Sequence, residues 1–137
     1  MYPVNNPENG QSLHDLLPPE VRNAQLQGAQ QMGDGWKMPP IPAELLQVNA
    51  RDIDWVNRQR TMPPLATFQQ TLHLTGGIAR IKNITFILAN GWRPSPFPLF
   101  YERAKVRGWK RLTKSCGHDV MLDLPEELTQ ELLAASP

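Results

Sequence analysis

The residue whose position most suggests chemistry is His118, in the loop Cys116-Gly117-His118-Asp119. This loop follows a predicted strand and precedes a predicted helix, and in open α/β sheets functional groups gather beyond the carboxyl ends of the strands. A histidine at such a place suits the role of general base if a nucleophile lies within reach. An ordinary surface-loop histidine is the alternative, and position alone does not separate the two.

The other candidate side chains carry weaker signals. Cys116 lies two residues before His118, which raises a cysteine–histidine pair as an alternative, but we favour a small buried side chain at a strand end. His14 and His73 lie in segments without a partner pattern and are interpreted as structural. A single cysteine excludes a disulfide framework and a cysteine-rich zinc site. We expect no metal and no cofactor.

The second half of the sequence, residues 76–137, predicts the elements that would position this loop. Residues 84–89, Ile-Thr-Phe-Ile-Leu-Ala, form a continuous apolar run that is typical of a strand buried on both faces of a parallel sheet. A helix is predicted from Ser95-Pro96 to Gly108, then a lysine-rich edge strand over 109–115. A final helix follows, with capping-box spacing between Asp123 and Glu126 and an apolar face of Leu124, Leu128 and Leu132. The order strand–helix–strand–helix indicates an α/β fold.

The first half, residues 1–75, is rich in proline and has broken periodicity. Its patterns predict helices over 20–32 and 52–60, the second capped by Asp52, and a short helix over 43–47. Gly33-Asp34-Gly35 is expected to end the first of these. Small helices on proline-fixed connections usually cover another part of a protein, and we place the boundary between the halves at Thr75-Gly76-Gly77.

Composition sets broad limits on the class of protein. The chain has 137 residues, a net charge of +1 and 14 prolines, about twice the usual share of proline. No apolar run reaches the length of a membrane span, and residues 1–7 lack the features of a signal peptide, which predicts a cytoplasmic protein without a membrane partner. Residues 1–75 carry five basic and seven acidic side chains, and residues 76–137 carry nine and six. The basic excess lies between Arg103 and Lys114, where we favour a solvated face over a nucleic-acid surface.

Taken together, these motifs resemble the carboxyl-terminal end of an α/β-hydrolase of the esterase and hydroxynitrile-lyase-like branch. The resemblance rests on Gly91-Trp92-Arg93-Pro94-Ser95-Pro96-Phe97, on Gly117-His118-Asp119-Val120-Met121-Leu122 and on Pro125-Glu126-Glu127-Leu128. It implies a partial α/β-hydrolase fold, with a helical lid over 1–75 followed by a βαβα end of the sheet. It also implies that His118 is the base of a catalytic triad and that a substrate pocket or lid includes Trp36, Met38, Trp55, Phe68 and Trp92. The same aromatic side chains are also expected as lid packing.

The sequence departs from that family at the nucleophile. The family's serine lies in a Gly-x-Ser-x-Gly elbow, and none of Ser12, Ser95, Ser115 and Ser136 has that setting. The triad acid usually follows the strand that matches 84–89, where this chain has Asn90-Gly91-Trp92. Asp34, Glu102 or an acid outside this sequence remain the alternatives, and Asp119 is expected to fix its loop.

The sequence therefore predicts a carboxyl-terminal hydrolase fragment that is inactive alone. In the intact protein it would act on a small apolar ester by acyl transfer. The expected partner is a missing amino-terminal half, or a second copy that pairs along residues 84–89. A non-catalytic interaction module that uses the basic strip 103–114 is the alternative function.

Overall fold

A computed structural model describes residues 9–135 of the chain. Residues 1–7, where the sequence predicts no signal peptide, and Ser136 lie outside the described residues. The helices are α1 (Pro19–Met32), α2 (Ile53–Gln59), α3 (Ala66–Gln69), α4 (Phe97–Val106), α5 (Val120–Asp123) and α6 (Pro125–Ala135). The strands are β1 (Thr85–Ala89) and β2 (Lys110–Lys114), and short 3-10 turns occupy His14–Leu16 and Gly77–Arg80. None of the helices within residues 9–135 has the length and apolar character that crossing a bilayer requires.

The described chain divides into two compact units. Unit 1 comprises residues up to 40 together with 60–78, and unit 2 comprises residues 41–59 together with 79 onward. The segment 41–59 therefore folds with the strands, although in sequence it lies within the first half. Its backbone groups find their hydrogen-bond partners in the loops after β1 and β2, which is the physical reason for this arrangement.

In unit 1, helix α1 packs on a small apolar core. Pro19 begins the helix, and Gly33 ends it by donating its N–H to the Ala29 carbonyl at 3.0 Å. The core consists of Ala29, Met38 and Leu65, with Phe68 against it. The predicted helix over 20–32 and its stop at the glycine pair are thus confirmed.

Unit 2 contains a parallel two-stranded sheet with a helix on each face. β1 and β2 pair from Thr85 with Lys110 to Ala89 with Lys114. Tyr101 of α4 contacts one face, where its ring meets Phe86 at 6.3 Å and Arg111 at 4.4 Å between centres. Helix α6 covers the other face through ion pairs of Glu131 with the lysines at 110 and 114. This is a mixed α/β unit, as the sequence predicted.

Three local expectations differ from the structure. Residues 43–47 form successive turns instead of a helix: the N–H groups of Leu45 and Gln47 each donate to the carbonyl three residues earlier, at 3.1 Å, and Gln47 has a φ of 56°. Strand β1 is buried only at Leu88 and half-buried elsewhere, since it has one strand neighbour among the described residues. Leu132 of α6 is 61% exposed, beyond the half-buried Leu124 and Leu128.

Candidate active site

The loops that follow β1 and β2 lie side by side at the carboxyl edge of the sheet. Gly91, after β1, donates its N–H to the carbonyl of Cys116, after β2, at 3.0 Å. A Cβ at position 91 would lie 2.5 Å from that same carbonyl oxygen, so only glycine allows this approach. Parallel strands bring their carboxyl ends to one edge, and this hydrogen bond joins the two loops there.

The turn segment 43–49 holds both loops from one side. The Leu46 carbonyl accepts the His118 N–H at 2.9 Å, and the Leu45 carbonyl accepts the Trp92 indole N–H at 2.9 Å. The Gln47 side chain binds the Arg93 backbone twice, accepting its N–H at 2.9 Å and donating to its carbonyl at 3.2 Å. The site is therefore fixed by a segment distant in sequence.

His118 lies between aromatic rings. Its ring centre is 4.4 Å from that of Trp92 and 5.7 Å from that of Phe97, and it is stacked on Phe97 with an interplanar angle of 5°. The residue is half-buried. An imidazole confined in this way, with its backbone N–H hydrogen-bonded, has the restricted orientation that general base catalysis requires.

Asp123 anchors the His118 loop and was not identified from the sequence as doing so. Its carboxylate accepts the Gly117 N–H at 2.8 Å and the Asn49 N–H at 3.2 Å. The capping-box spacing with Glu126 pointed to the start of α6 instead, yet Asp123 is the last residue of α5. The signal was ambiguous, because a carboxylate before a helix accepts any nearby backbone N–H.

We expect Asp123→Asn to destabilise unit 2 by about 1–2 kcal/mol, because an amide offers one acceptor atom where two N–H groups need one each. Amide hydrogen exchange at Gly117 and Asn49, together with urea unfolding, measures the effect. Asp54→Asn, at an exposed position of α2, is the matched control and should change neither. Unaltered exchange at Gly117 in Asp123→Asn would contradict this account.

The two carboxylates considered as triad acids pair with cations. Glu102 of α4 is 65% exposed and accepts from Arg111 at 3.0 Å. It lies five residues after Phe97, about 140° around the helix from the residue that stacks on His118. Asp34 belongs to unit 1, where it pairs with Lys37 at 2.5 Å and is 73% exposed. The structure does not bring Glu102 to the His118 ring, and Asp34 lies in the other unit.

The remaining predicted pocket residues have different settings. Met38 is 4% exposed and packs with Phe68 in the core of unit 1, while Trp36 and Trp55 are 56% and 50% exposed. Trp92 packs against the buried cluster of Ala43, Leu46, Val48 and Val56 in unit 2. Of the five aromatic and methionine side chains, the structure brings Trp92 to His118. Phe97, which ends the motif 91–97 but was not among the predicted pocket residues, also reaches it.

Cys116 is buried, and burial raises the pKa of its thiol, with smaller contributions from the carboxylates of Asp123 and Glu127. A raised thiol pKa opposes a nucleophilic role near neutral pH.

Among serines, Ser95 accepts the Phe97 N–H at 3.2 Å, and Ser12 of unit 1 is hydrogen-bonded to Asp15. No group of three or more His, Cys, Asp or Glu side chains within residues 9–135 could hold a metal ion.

The thiol provides a test by pH. Because folding raises the Cys116 pKa, the folded state keeps its proton where the unfolded state loses it. The free energy of unfolding should therefore fall as pH rises above the thiol pKa of the unfolded chain, and Cys116→Ala should lessen this fall. Iodoacetamide should label the folded chain at pH 8 at least tenfold more slowly than the chain in urea, and equal rates would contradict the burial.

The chain is similar to an esterase over nearly its whole length. It is 44% identical to the carbendazim hydrolyzing esterase of Nocardioides sp. (strain SG-4G), and the match covers 93% of this chain and 56% of that esterase. The chain thus spans little more than half the length of this relative. No protein-family model and no solved structure matches the chain. The identity supports the conclusion that the chain is homologous to an esterase.

Proposed function

We propose that this chain is the histidine-bearing, carboxyl-terminal part of an α/β-hydrolase-type esterase. The observation that carries the proposal is the 44% identity to an esterase, which includes the region of the loop that holds His118. The parallel β1–α4–β2 arrangement and the position of His118 after β2 agree with it. The nucleophile would come from polypeptide outside this sequence, because no Gly-x-Ser-x-Gly elbow occurs in it.

In the proposed reaction, His118 takes the proton of a serine hydroxyl while the serine oxygen attacks the ester carbonyl carbon. The histidine then gives this proton to the leaving alcohol, and an acyl-serine remains. A water molecule next loses its proton to His118 as its oxygen attacks the acyl carbon, and His118 then returns that proton to the serine oxygen as the carboxylic acid leaves. The tight backbone anchoring of the His118 loop suits this repeated transfer, because it holds the imidazole in one position.

We infer the substrate class from the aromatic side chains beside His118. Trp92 and Phe97 present aromatic surface there, and Phe100 lies 5.8 Å from Phe97 between ring centres. Such walls favour a small ester with an apolar or aromatic group over a charged one. The compound in the name of the relative, carbendazim, is a second substrate to test.

The triad acid is proposed to lie outside this sequence. Glu102 is bound to Arg111 and Asp34 to Lys37, so each carboxylate already has a cation as its partner. The lid interpretation of residues 1–75 is part of the same proposal. Of the three predicted pocket residues in unit 1, Trp36 is 56% exposed and accessible to a ligand, whereas Met38 and Phe68 are packed in the core.

The basic strip 103–114 does not favour the alternative of an interaction module. Lys114 donates to Glu127 at 3.1 Å and to Glu131 at 3.3 Å, and its pKa is raised chiefly by the Glu127 hydrogen bond. Arg111 pairs with Glu102. At Lys114 and Arg111 a phosphate backbone would have to compete with these carboxylates, while Lys105 and Arg107 of the strip are exposed.

A fusion protein tests the proposal. The part of the Nocardioides esterase that this chain does not match is joined to the chain in the order of that esterase, and hydrolysis of p-nitrophenyl acetate is measured. We expect turnover by the fusion, and none above the uncatalysed rate by either part alone. Hydrolysis by the chain alone with a covalent acyl adduct on Ser95, Ser115 or Cys116 would contradict the proposed source of the nucleophile. A folded fusion without activity would contradict the function itself.

A further inference from the structure

Gln47 adopts a left-handed backbone conformation at the end of a turn. Its N–H donates to the Glu44 carbonyl at 3.1 Å, and the Val48 N–H donates to the Ala43 carbonyl at 3.2 Å. These two hydrogen bonds have the pattern of the Schellman motif, with Gln47 at the position that glycine usually occupies. The φ of 56° is costly for a residue that has a Cβ. The turn by itself therefore favours glycine over glutamine at position 47.

The side chain of Gln47 makes contacts that glycine lacks. Its amide oxygen accepts the Arg93 N–H at 2.9 Å, and its amide nitrogen donates to the Arg93 carbonyl at 3.2 Å. Leu46 and Val48 on either side are buried, whereas Gln47 is exposed, so glutamine is not placed there to fill the core. The hold on the Arg93 backbone is what distinguishes this residue from the glycine that the turn favours.

Arg93 lies in the segment that carries both rings against His118. Trp92 directly precedes Arg93, and Phe97 follows it four residues later. Their ring centres are 4.4 Å and 5.7 Å from that of the imidazole. By holding the Arg93 backbone, the Gln47 amide therefore holds the segment whose two rings confine His118.

Three consecutive residues of the turn bind the site at three points. The Leu45 carbonyl accepts from the Trp92 indole, and the Leu46 carbonyl accepts from the His118 backbone. Every residue type supplies such a carbonyl, so a substitution leaves both of these contacts in place. Gln47 is the one of the three that binds the site through its side chain, and a substitution can remove its contribution.

We propose that Gln47 is a positioning residue for His118: its amide fixes the loop after β1, and the two rings of that loop then hold the imidazole in the orientation that proton transfer needs. The inference rests on the proposed function for the reaction, and on the structure alone for the placement of the ring. Strained backbone retained where glycine would relieve it is characteristic of functional sites. Turn stability and orientation of the imidazole thus make opposite demands on position 47.

Two substitutions separate positioning from stability. Gln47→Ala removes the amide and keeps a Cβ in the left-handed conformation, whereas Gln47→Gly removes the amide and relieves that conformation, so it should unfold at a higher urea concentration than Gln47→Ala. In the fusion described above, both variants should nevertheless lose about tenfold in kcat for p-nitrophenyl acetate. Gln59→Ala removes another exposed glutamine side chain of unit 2 and should leave kcat unchanged.

Proton NMR of the chain alone gives a second readout that needs no activity. Aromatic rings packed on an imidazole shift its proton signals away from their positions in an unfolded chain. We expect shifted His118 ring signals in the native chain and in Gln59→Ala, and signals closer to the unfolded positions in both Gln47 variants. The ring of His14, which lies 6.3 Å from that of Phe68 in unit 1, is an internal reference and should not change.

Two results would overturn the proposal. Unchanged kcat or unchanged His118 signals in both Gln47 variants would show that the amide does not position the ring for reaction. Activity that follows stability, with Gln47→Gly clearly more active than Gln47→Ala, would show a purely structural role. An inactive unmodified fusion would count against the proposed function instead, and the His118 signals of the chain alone would then decide whether Gln47 positions the ring.

Discussion

Gly117→Ala is expected to lower the free energy of unfolding of unit 2 by about 3 kcal/mol. A Cβ at position 117 would lie 1.9 Å from the carbonyl oxygen of Gln47 and 2.5 Å from its carbonyl carbon. These are backbone atoms, which cannot turn aside as a flexible side chain would. Either the His118 loop or the 43–49 segment must move, and the hydrogen bond from His118 to the Leu46 carbonyl joins the two.

Urea unfolding and exchange of the His118 amide measure this effect. Gly108→Ala is the control, because Gly108 has a φ of +71° but open space around its Cβ position. Gly108→Ala carries only the conformational cost of a left-handed residue, about 1–2 kcal/mol. Gly117→Ala carries the cost of steric overlap with the Gln47 carbonyl. Gly117→Ala should lose more stability than Gly108→Ala and should also lose protection at His118. Equal losses, or a protected His118 amide, would show that the loop is not packed against Gln47.

The sheet and its crossover helix were predictable because their signals are local. A continuous apolar run predicted β1, Ser95-Pro96 predicted the start of α4, and a lysine-rich pattern predicted β2. Each of these signals depends on the side chains of the element itself and on the helix- or strand-ending residues that flank it. The boundaries agree to within one or two residues for these three elements.

The arrangement of segment 43–49 was not predictable in the same way. It binds the two loops mainly through the backbone carbonyls of Leu45 and Leu46, and every residue type has a carbonyl. A short proline-flanked piece also lacks the periodicity that would show which face it buries. Gln47 and Asp123 are specific contributors, but their types are common on surfaces, and only the fold shows what each binds.

The environment of His118 likewise has one part that the sequence predicted and one part that only the fold shows. Its place after β2 followed from the order of elements, which indicates which edge of a parallel sheet carries the loops. Its contact with Phe97 did not, because Phe97 precedes it by 21 positions in the sequence and meets it only through the packing of α4 on the sheet. Distance in sequence hides contacts of this kind.

His118→Ala, made in the active fusion described above, is expected to lower kcat/KM for p-nitrophenyl acetate by about a thousandfold or more. Without the imidazole, nothing at this position takes the serine proton or returns it to the leaving alcohol. The ring also packs on Trp92 and Phe97, so its removal could act through structure alone. His118→Phe separates the two effects, because phenylalanine keeps an aromatic ring but cannot accept a proton.

The expected pattern is that His118→Phe retains the unfolding midpoint of the fusion and loses activity as His118→Ala does. His73→Ala changes an exposed histidine of unit 1 and should leave the rate unchanged. Glu102→Gln should stay within a few-fold of the unmodified fusion, because the Glu102 carboxylate is bound to Arg111. A thousandfold loss in Glu102→Gln would identify it as the triad acid. Full activity in folded His118→Phe would remove His118 from the reaction, since no ring without a basic nitrogen can act as the base.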